Sequence, residues 1–168
     1  MSFAENILIF TDGACSGNPG VGGYGTVIVY PEGKIKELGG GRSQTTNNRM
    51  EMMAVIEGLS EVDSASEDIW ILTDSTYVIR GITQWIWAWK KKGWKTASGN
   101  EVTNIDLWKK LDTLVQQQNK FSKIEWKYVR GHSGTPGNER CDEIAVSFTK
   151  KKFTELYSGP LLNYEFAI

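Results

Sequence analysis

Residues 17–30 read GNPGVGGYGTVIVY. Within them Gly20, Gly22 and Gly25 satisfy G-x-G-x-x-G, the pattern of a dinucleotide-binding loop, and the apolar run ILIF (7–10) precedes them. Such a loop needs a helix directly after its glycines, because the helix N-terminus receives the pyrophosphate. Here TVIVY follows, a β-branched and aromatic stretch that suits a strand. The match is therefore read as accidental, and the glycines as a flexible hairpin connection between two strands.

Working outward, residues 6–12 form a continuous apolar run ending in Thr-Asp, as expected of a strand buried on both faces. After the strand at 24–30 comes a turn at Pro31-Glu32-Gly33, then a weaker strand in KIKELGG (34–40). TTNNRMEMMAVIEGLSEV (45–62) has apolar residues at helical spacing, and Asn48-x-x-Glu51 resembles a capping box at its start. DIWILTD (68–74) is another buried strand. A helix starts near Ser75 and continues through QWIWAWKKKGWK until Gly93. TNIDLWKKLDTLVQQQ (103–118) places Leu107, Leu111, Leu114 and Val115 on one helical face. KIEWKYVR (123–130) alternates as a half-exposed edge strand does. Thr135-Pro136 opens a last helix, with Thr as cap and Pro in the first turn. The tail, SGPLLNYEFAI (158–168), has no assignment. The fold class is α/β: a five-stranded mixed sheet, three antiparallel strands followed by two parallel ones, flanked by helices.

The 168 residues suit one domain, expected over 1–152, with a tail at 153–168. Composition is that of a globular protein, and no apolar run approaches the roughly 18 residues of a membrane span. No secretion signal is visible, and Cys15 and Cys141 stand in no metal-ligand spacing, so a cytoplasmic protein with reduced thiols is expected. The net charge of −1 argues against a general nucleic-acid binder. Yet residues 80–95 hold Arg80, Lys90, Lys91, Lys92 and Lys95 and no acid, leaving −6 for the rest of the chain. One anionic partner at one place is implied.

Four acids fall where chemistry would. Asp12 and Asp74 follow buried strands. If those strands are parallel neighbours, both carboxylates meet at the sheet edge where α/β proteins place ligands. Glu51 and Asp142, early in their helices, would join them. Each has a plainer reading: a helix cap for Asp74, a capping box for Glu51, a solvated helix acid for Asp142, a turn for Asp12. If all four converge they repel one another unless cations sit among them, and hard oxygen ligands suit Mg2+ or Mn2+. His132, the only histidine, lies in VRGHSGTPG and is the natural proton carrier near neutral pH. Trp85, Trp87, Trp89 and Trp94 cannot all face one core. Either two are core and the rest partly covered by lysine stems, or they form an aromatic surface interleaved with lysines for nucleic acid.

TDGACSGNPG, TTNNRMEMMA, LTDSTYV, GITQWIWAWKKKGWKTA, NIDLWKKL and VRGHSGTPGNERCDEIA follow one another in order and spacing. Over residues 5–152 they resemble type 1 ribonuclease H, in its bacterial stand-alone form. The resemblance implies cleavage of the RNA strand of an RNA–DNA hybrid with Mg2+ or Mn2+, leaving 3′-hydroxyl and 5′-phosphate ends. It implies catalytic, metal-binding carboxylates at Asp12, Glu51, Asp74 and Asp142, with His132 assisting proton movement. Asn18, Asn47 and Asn48 would meet the hybrid in its minor groove, and Thr46 a DNA phosphate. Trp85 would lie at the DNA channel and Asn138 beside the catalytic loop. Lys90, Lys91, Lys92, Trp94 and Lys95 would form a basic protrusion near 85–98. A monomer that removes RNA primers and R-loops is expected. Thr135 departs from the pattern, standing where many relatives carry a histidine, so loop behaviour and turnover would differ.

Overall fold

The structure, a computed structural model, describes residues 5–131 and 135–168. Six strands form one sheet in the order β5-β4-β1-β2-β3-β6. β1 (Ile7–Ser16), β2 (Gly20–Tyr30) and β3 (Lys34–Thr45) make an antiparallel meander. β4 (Ile69–Thr73) lies parallel to β1, and β5 (Ile124–Tyr128) parallel to β4, at the sheet edge its alternation predicted. The expected sheet had five strands. The sixth, β6 (Ser158–Pro160), comes from the unassigned tail and pairs with the start of β3. Its three residues are too short to carry a strand pattern.

The alternation along β1 explains the two layers. Ile7 and Ile9 point into a core shared with α1 (Asn47–Glu61), β4 and α4 (Ile105–Gln118). Leu8 and Phe10 point to the other face, where Cys141 and Ile144 of α5 (Pro136–Thr149) cover them. Both faces of the central strands are buried, as a continuous apolar run requires. Between β4 and α4 the chain forms α2 (Thr76–Arg80), a π-helical turn (Gly81–Trp85) and α3 (Ile86–Lys91). The π turn lies where Trp108, fully buried, presses on Gly81; a Cβ there would overlap the indole.

Of the glycines in the opening run, only Gly17, at φ +84°, lies in the connection between β1 and β2. Gly20, Gly22, Gly23 and Gly25 all lie inside β2, and Gly25 pairs with Asp12. α5 packs directly on the strand backbone there. A Cβ on Gly23 would meet the Ala145 carbonyl, and one on Gly25 the Cys141 carbonyl. Close approach of helix to strand, rather than a turn, is what these glycines permit.

Among the described residues no helix is long and apolar enough to cross a membrane. Cys15 and Cys141 are both free thiols.

Candidate active site

The parallel pairing of β1 and β4 ends with Phe10 opposite Leu72, and each strand carries its aspartate two residues further on. β1 itself continues to Ser16, so Asp12 is inside the strand rather than at its end. It lies past the point where its parallel neighbour stops, which opens the sheet beside it. Glu51 arrives from α1. Gly13 lets that helix sit against β1, since a Cβ on Gly13 would come within 2.5 Å of the Glu51 amide nitrogen. The result is a cluster in which one carboxylate oxygen from each of Asp12, Glu51 and Asp74 lies within 4.8 Å of the others.

The plainer readings of two of these acids fail. Thr46, not Asn48, caps α1, its hydroxyl accepting from the Arg49 N–H at 3.2 Å. Glu51 is thus past the capping positions and turns inward. Ser75, not Asp74, caps α2 and accepts from the Val78 N–H at 3.2 Å. Asp74 is released from helix capping.

The cluster's electrostatics are unbalanced. Glu51 and Asp12 are 5% and 6% exposed. Burial pushes the Asp12 carboxyl up to about 6, and Asp74 and Asp142 add to the rise. The neighbouring Glu51 and the Gly13 N–H, which donates to Asp12 Oδ1 at 2.8 Å, work against it. Burial, and then the charges of Asp12 and Asp74, raise the Glu51 carboxyl well above the ordinary range. Glu51 Oε2 is buried with no hydrogen-bond partner. Three carboxylates of one charge, close together and with Glu51 Oε2 buried and unpartnered, are a fit for a hard divalent cation.

Asp142 is half-buried on α5 and lies outside the three-residue cluster. It lines the same cleft, with Asp12, Asp74 and Asn138. Asn138 reaches the sheet, its amide donating to the Thr11 and Leu72 carbonyls at 3.2 Å each, while its Oδ1 is buried without a partner. On the other side of Asp74 a second groove is bordered by Asn47, Asn48, Glu51 and Tyr77. Asn18 is tied to it, its side-chain oxygen accepting from the Asn47 N–H at 3.2 Å. His132 lies outside the described residues. Thr135 occupies the N-cap position of α5, ahead of Pro136, but its side chain makes no capping bond.

The protrusion differs in part from expectation. Lys91, Lys92 and Lys95 are exposed, but Lys90 pairs with Asp112 at 3.1 Å. Trp94 is half-buried against the main core, with the Lys109 ammonium 5.7 Å from its ring centroid. Trp85 is half-buried and stacks edge-on to Tyr77 at 5.8 Å and on Trp89 at 5.9 Å. Only Trp87 of the four is largely exposed, at 58%. The aromatic stretch is thus mainly a packed cluster with one face to solvent. The sequence reading missed Tyr77, whose hydroxyl accepts from Asn104 and Trp108, and Arg49, which makes a two-pronged pair with Asp106. Tyr77 stood three residues after Asp74, on the helix that leaves the site, which was the available signal.

Comparison with known proteins decides the lineage. The family model for RNase H matches residues 4–150. The chain belongs to the RNase H family. It is an enzyme of the nuclease class, a phosphodiester hydrolase. A Ribonuclease H from Cyanothece sp. is 52% identical over 154 residues, covering 91% of this chain and 95% of that protein. Ribonuclease HI of Pseudomonas aeruginosa is 52% identical over 145 residues, covering 86% and 94%. Among solved structures, LC9-RNase H1, described as a type 1 RNase H with the type 2 active-site motif, superposes with a TM-score of 0.76. It is 30% identical, with 92% of this chain and 77% of that one covered. The RNase H family is divalent-metal dependent, and the acidic cluster found here suits that chemistry.

Proposed function

We propose that the chain hydrolyses the RNA strand of RNA–DNA hybrids endonucleolytically, leaving 3′-hydroxyl and 5′-phosphate ends. Two Mg2+ ions, replaceable by Mn2+, would be held among Asp12, Glu51, Asp74 and Asp142. The observation that carries this reading is the buried Asp12–Glu51–Asp74 cluster, with Glu51 Oε2 lacking any partner. The two relatives described above, both named for this activity at 52% identity, support it. Bound there, the cations would activate a water and offset charge on the leaving oxygen.

The chain's own residues supply recognition. Asn18, Asn47 and Asn48 line one end of the groove with amides, which can bond 2′-hydroxyls that DNA lacks. The Thr46 hydroxyl accepts from Arg49 and keeps its proton free to donate to a phosphate. Trp85 would pack on the DNA strand, and Lys91, Lys92 and Lys95 would bind its phosphates without regard to sequence. Trp94 holds the protrusion against the body rather than touching the hybrid. Lys90 contributes less than its neighbours because Asp112 already offsets its charge. His132 would carry a proton to the leaving oxygen or help product depart. A monomer in the cytoplasm, clearing RNA primers and R-loops, is the corresponding cellular role.

The test is cleavage of an end-labelled hybrid by purified protein with Mg2+. Asp12→Asn and Asp74→Asn should each lower kcat roughly a thousandfold or more, the scale of several kcal/mol of transition-state stabilisation. Near-normal cleavage by either variant, or preferential cutting of duplex DNA by the parent chain, overturns the reading.

A further inference from the structure

Residues 153–168 follow the stretch that the family model matches, yet they are tied to the helix that carries Asp142. The segment retraces α5 from its C-terminal end to its N-terminal end. The Phe153 ring packs on Phe148, 4.9 Å between centroids. Further along, the Tyr157 N–H donates to Glu37 Oε1 at 2.9 Å and the Tyr164 hydroxyl to Glu37 Oε2 at 2.6 Å. The Phe166 ring then lies over the Arg140 guanidinium, 3.7 Å from its centroid. Ile168 finally lines an apolar cavity together with Phe10, Leu72, Thr135 and Pro136, where α5 begins.

Arg140 is the point where these contacts converge. It is 4% exposed and donates to Glu37 through Nε at 2.6 Å and through Nη2 at 2.9 Å. Nη2 also donates to the Glu155 carbonyl at 3.2 Å. In sequence Arg140 stands between Asn138, which bonds the ends of β1 and β4, and Asp142. The first two turns of α5 are therefore held from both sides, by the strands that lead to Asp12 and Asp74 and by the segment 153–168. Asp142 lies outside the three-carboxylate cluster, so its distance from that cluster depends on how α5 is seated.

We propose that residues 153–168 form a strap that positions Asp142 for cation binding by fixing Arg140, with Tyr164 and Phe166 as the positioning residues. This rests on the reading of Asp142 as a cation ligand. Partners that orient a metal ligand typically cost roughly ten- to a hundredfold in metal affinity when lost. Contacts that act through Arg140, two residues from the ligand, should fall at the low end.

The test uses the full chain with Phe166→Ala and Tyr164→Phe. Mn2+ binding to the metal-free protein is measured by calorimetry, without nucleic acid. Both variants should bind Mn2+ more weakly, Phe166→Ala roughly tenfold. The Mg2+ midpoint for cleavage should rise in parallel, while kcat at saturating Mg2+ is retained. Combined with Asp142→Asn, Phe166→Ala should add nothing further to the loss of Mn2+ affinity, because the strap acts through that carboxylate. A purely structural role predicts the opposite: a lower Tm, unchanged Mn2+ affinity and additive effects. That result overturns the proposal. If Asp142→Asn alone leaves Mn2+ affinity unchanged, the ligand reading fails and the strap's role fails with it. If Asp142→Asn weakens Mn2+ and the strap variants do not, only the strap fails.

Discussion

Two buried carboxylate sites lie on this sheet and are treated in opposite ways. Glu37 on β3 is 3% exposed and accepts from the Arg140 guanidinium, the Tyr164 hydroxyl and the Tyr157 N–H. Burial alone would raise its carboxyl, but those donors outweigh burial and hold it below the ordinary range. Glu51 and Asp12 are buried to a similar depth beside carboxylates that raise them further, and both are pushed up. Burial is thus the same in both places, and the supply of donors differs. A fully compensated buried acid is part of the scaffold; a buried pair raised by its own neighbours is one whose charge a cation can offset.

The sharpest way to break this contrast is to remove each charge in turn. Glu37→Gln leaves the Arg140 guanidinium buried without its counter-charge and should destabilise by about 3–5 kcal/mol, read from the denaturant midpoint. The difference from the parent should shrink as pH falls below 4.5, where the unfolded parent protonates Glu37 first and the folded parent only at still lower pH. A neutral outcome at pH 7 would show that the pair contributes nothing to the fold.

Asp12→Asn should act in the other direction in metal-free protein. The carboxyl is raised from 3.8 to about 6, so its ionisation opposes folding at neutral pH. Relieving it should stabilise by up to about 3 kcal/mol. The gain should be absent below about pH 4, where folded and unfolded chains are both protonated, and complete above about pH 6. Saturating Mg2+ should erase the advantage, since the parent gains ligand binding that the variant has lost. A variant less stable than the parent without metal would contradict the electrostatic picture.

A smaller effect concerns protons and cations competing for the same oxygens. Mn2+ affinity should fall roughly tenfold per pH unit below about 6 if one proton is displaced on binding. Calorimetry at several pH values checks this, and a flat profile between pH 5 and 6 would refute it. Smallest in free energy is the protrusion. Neutralising Lys91, Lys92 and Lys95 together should reduce the slope of log KM against log salt by about three, roughly one per phosphate contact. Adding the Lys90 change should contribute less than one more, because Lys90 is already paired. Equal contributions from all four lysines would rule out that ranking.

Much of the site was legible in sequence because its parts are local. Buried strands ending near aspartates, TTNN before a helix and Thr-Pro at a helix start are short patterns with direct backbone consequences. The convergence of Asp12 and Asp74 followed once β1 and β4 proved parallel, because a parallel register carries matching positions to one edge. Thr135 stands at the N-cap of α5 as its pattern implies, whereas the cap of α1 lies two residues before Asn48, since Thr46, Asn47 and Asn48 all suit a cap and only the backbone geometry selects Thr46.

The sequence by itself determined the types of the main elements, the edge position of β5, the three acids that cluster and the basic stretch. Each is a property of neighbouring residues, of periodicity or of composition. Tertiary structure alone decided that Gly23 and Gly25 of β2 serve the close seating of α5, that Asp112 takes Lys90, and that Glu37 meets Arg140 across 103 positions of chain. It alone decided that the tail would supply a sixth strand and lie along the helix bearing Asp142. Those pairings depend on which surfaces remain uncovered after the sheet and its helices have packed, and no local pattern encodes that.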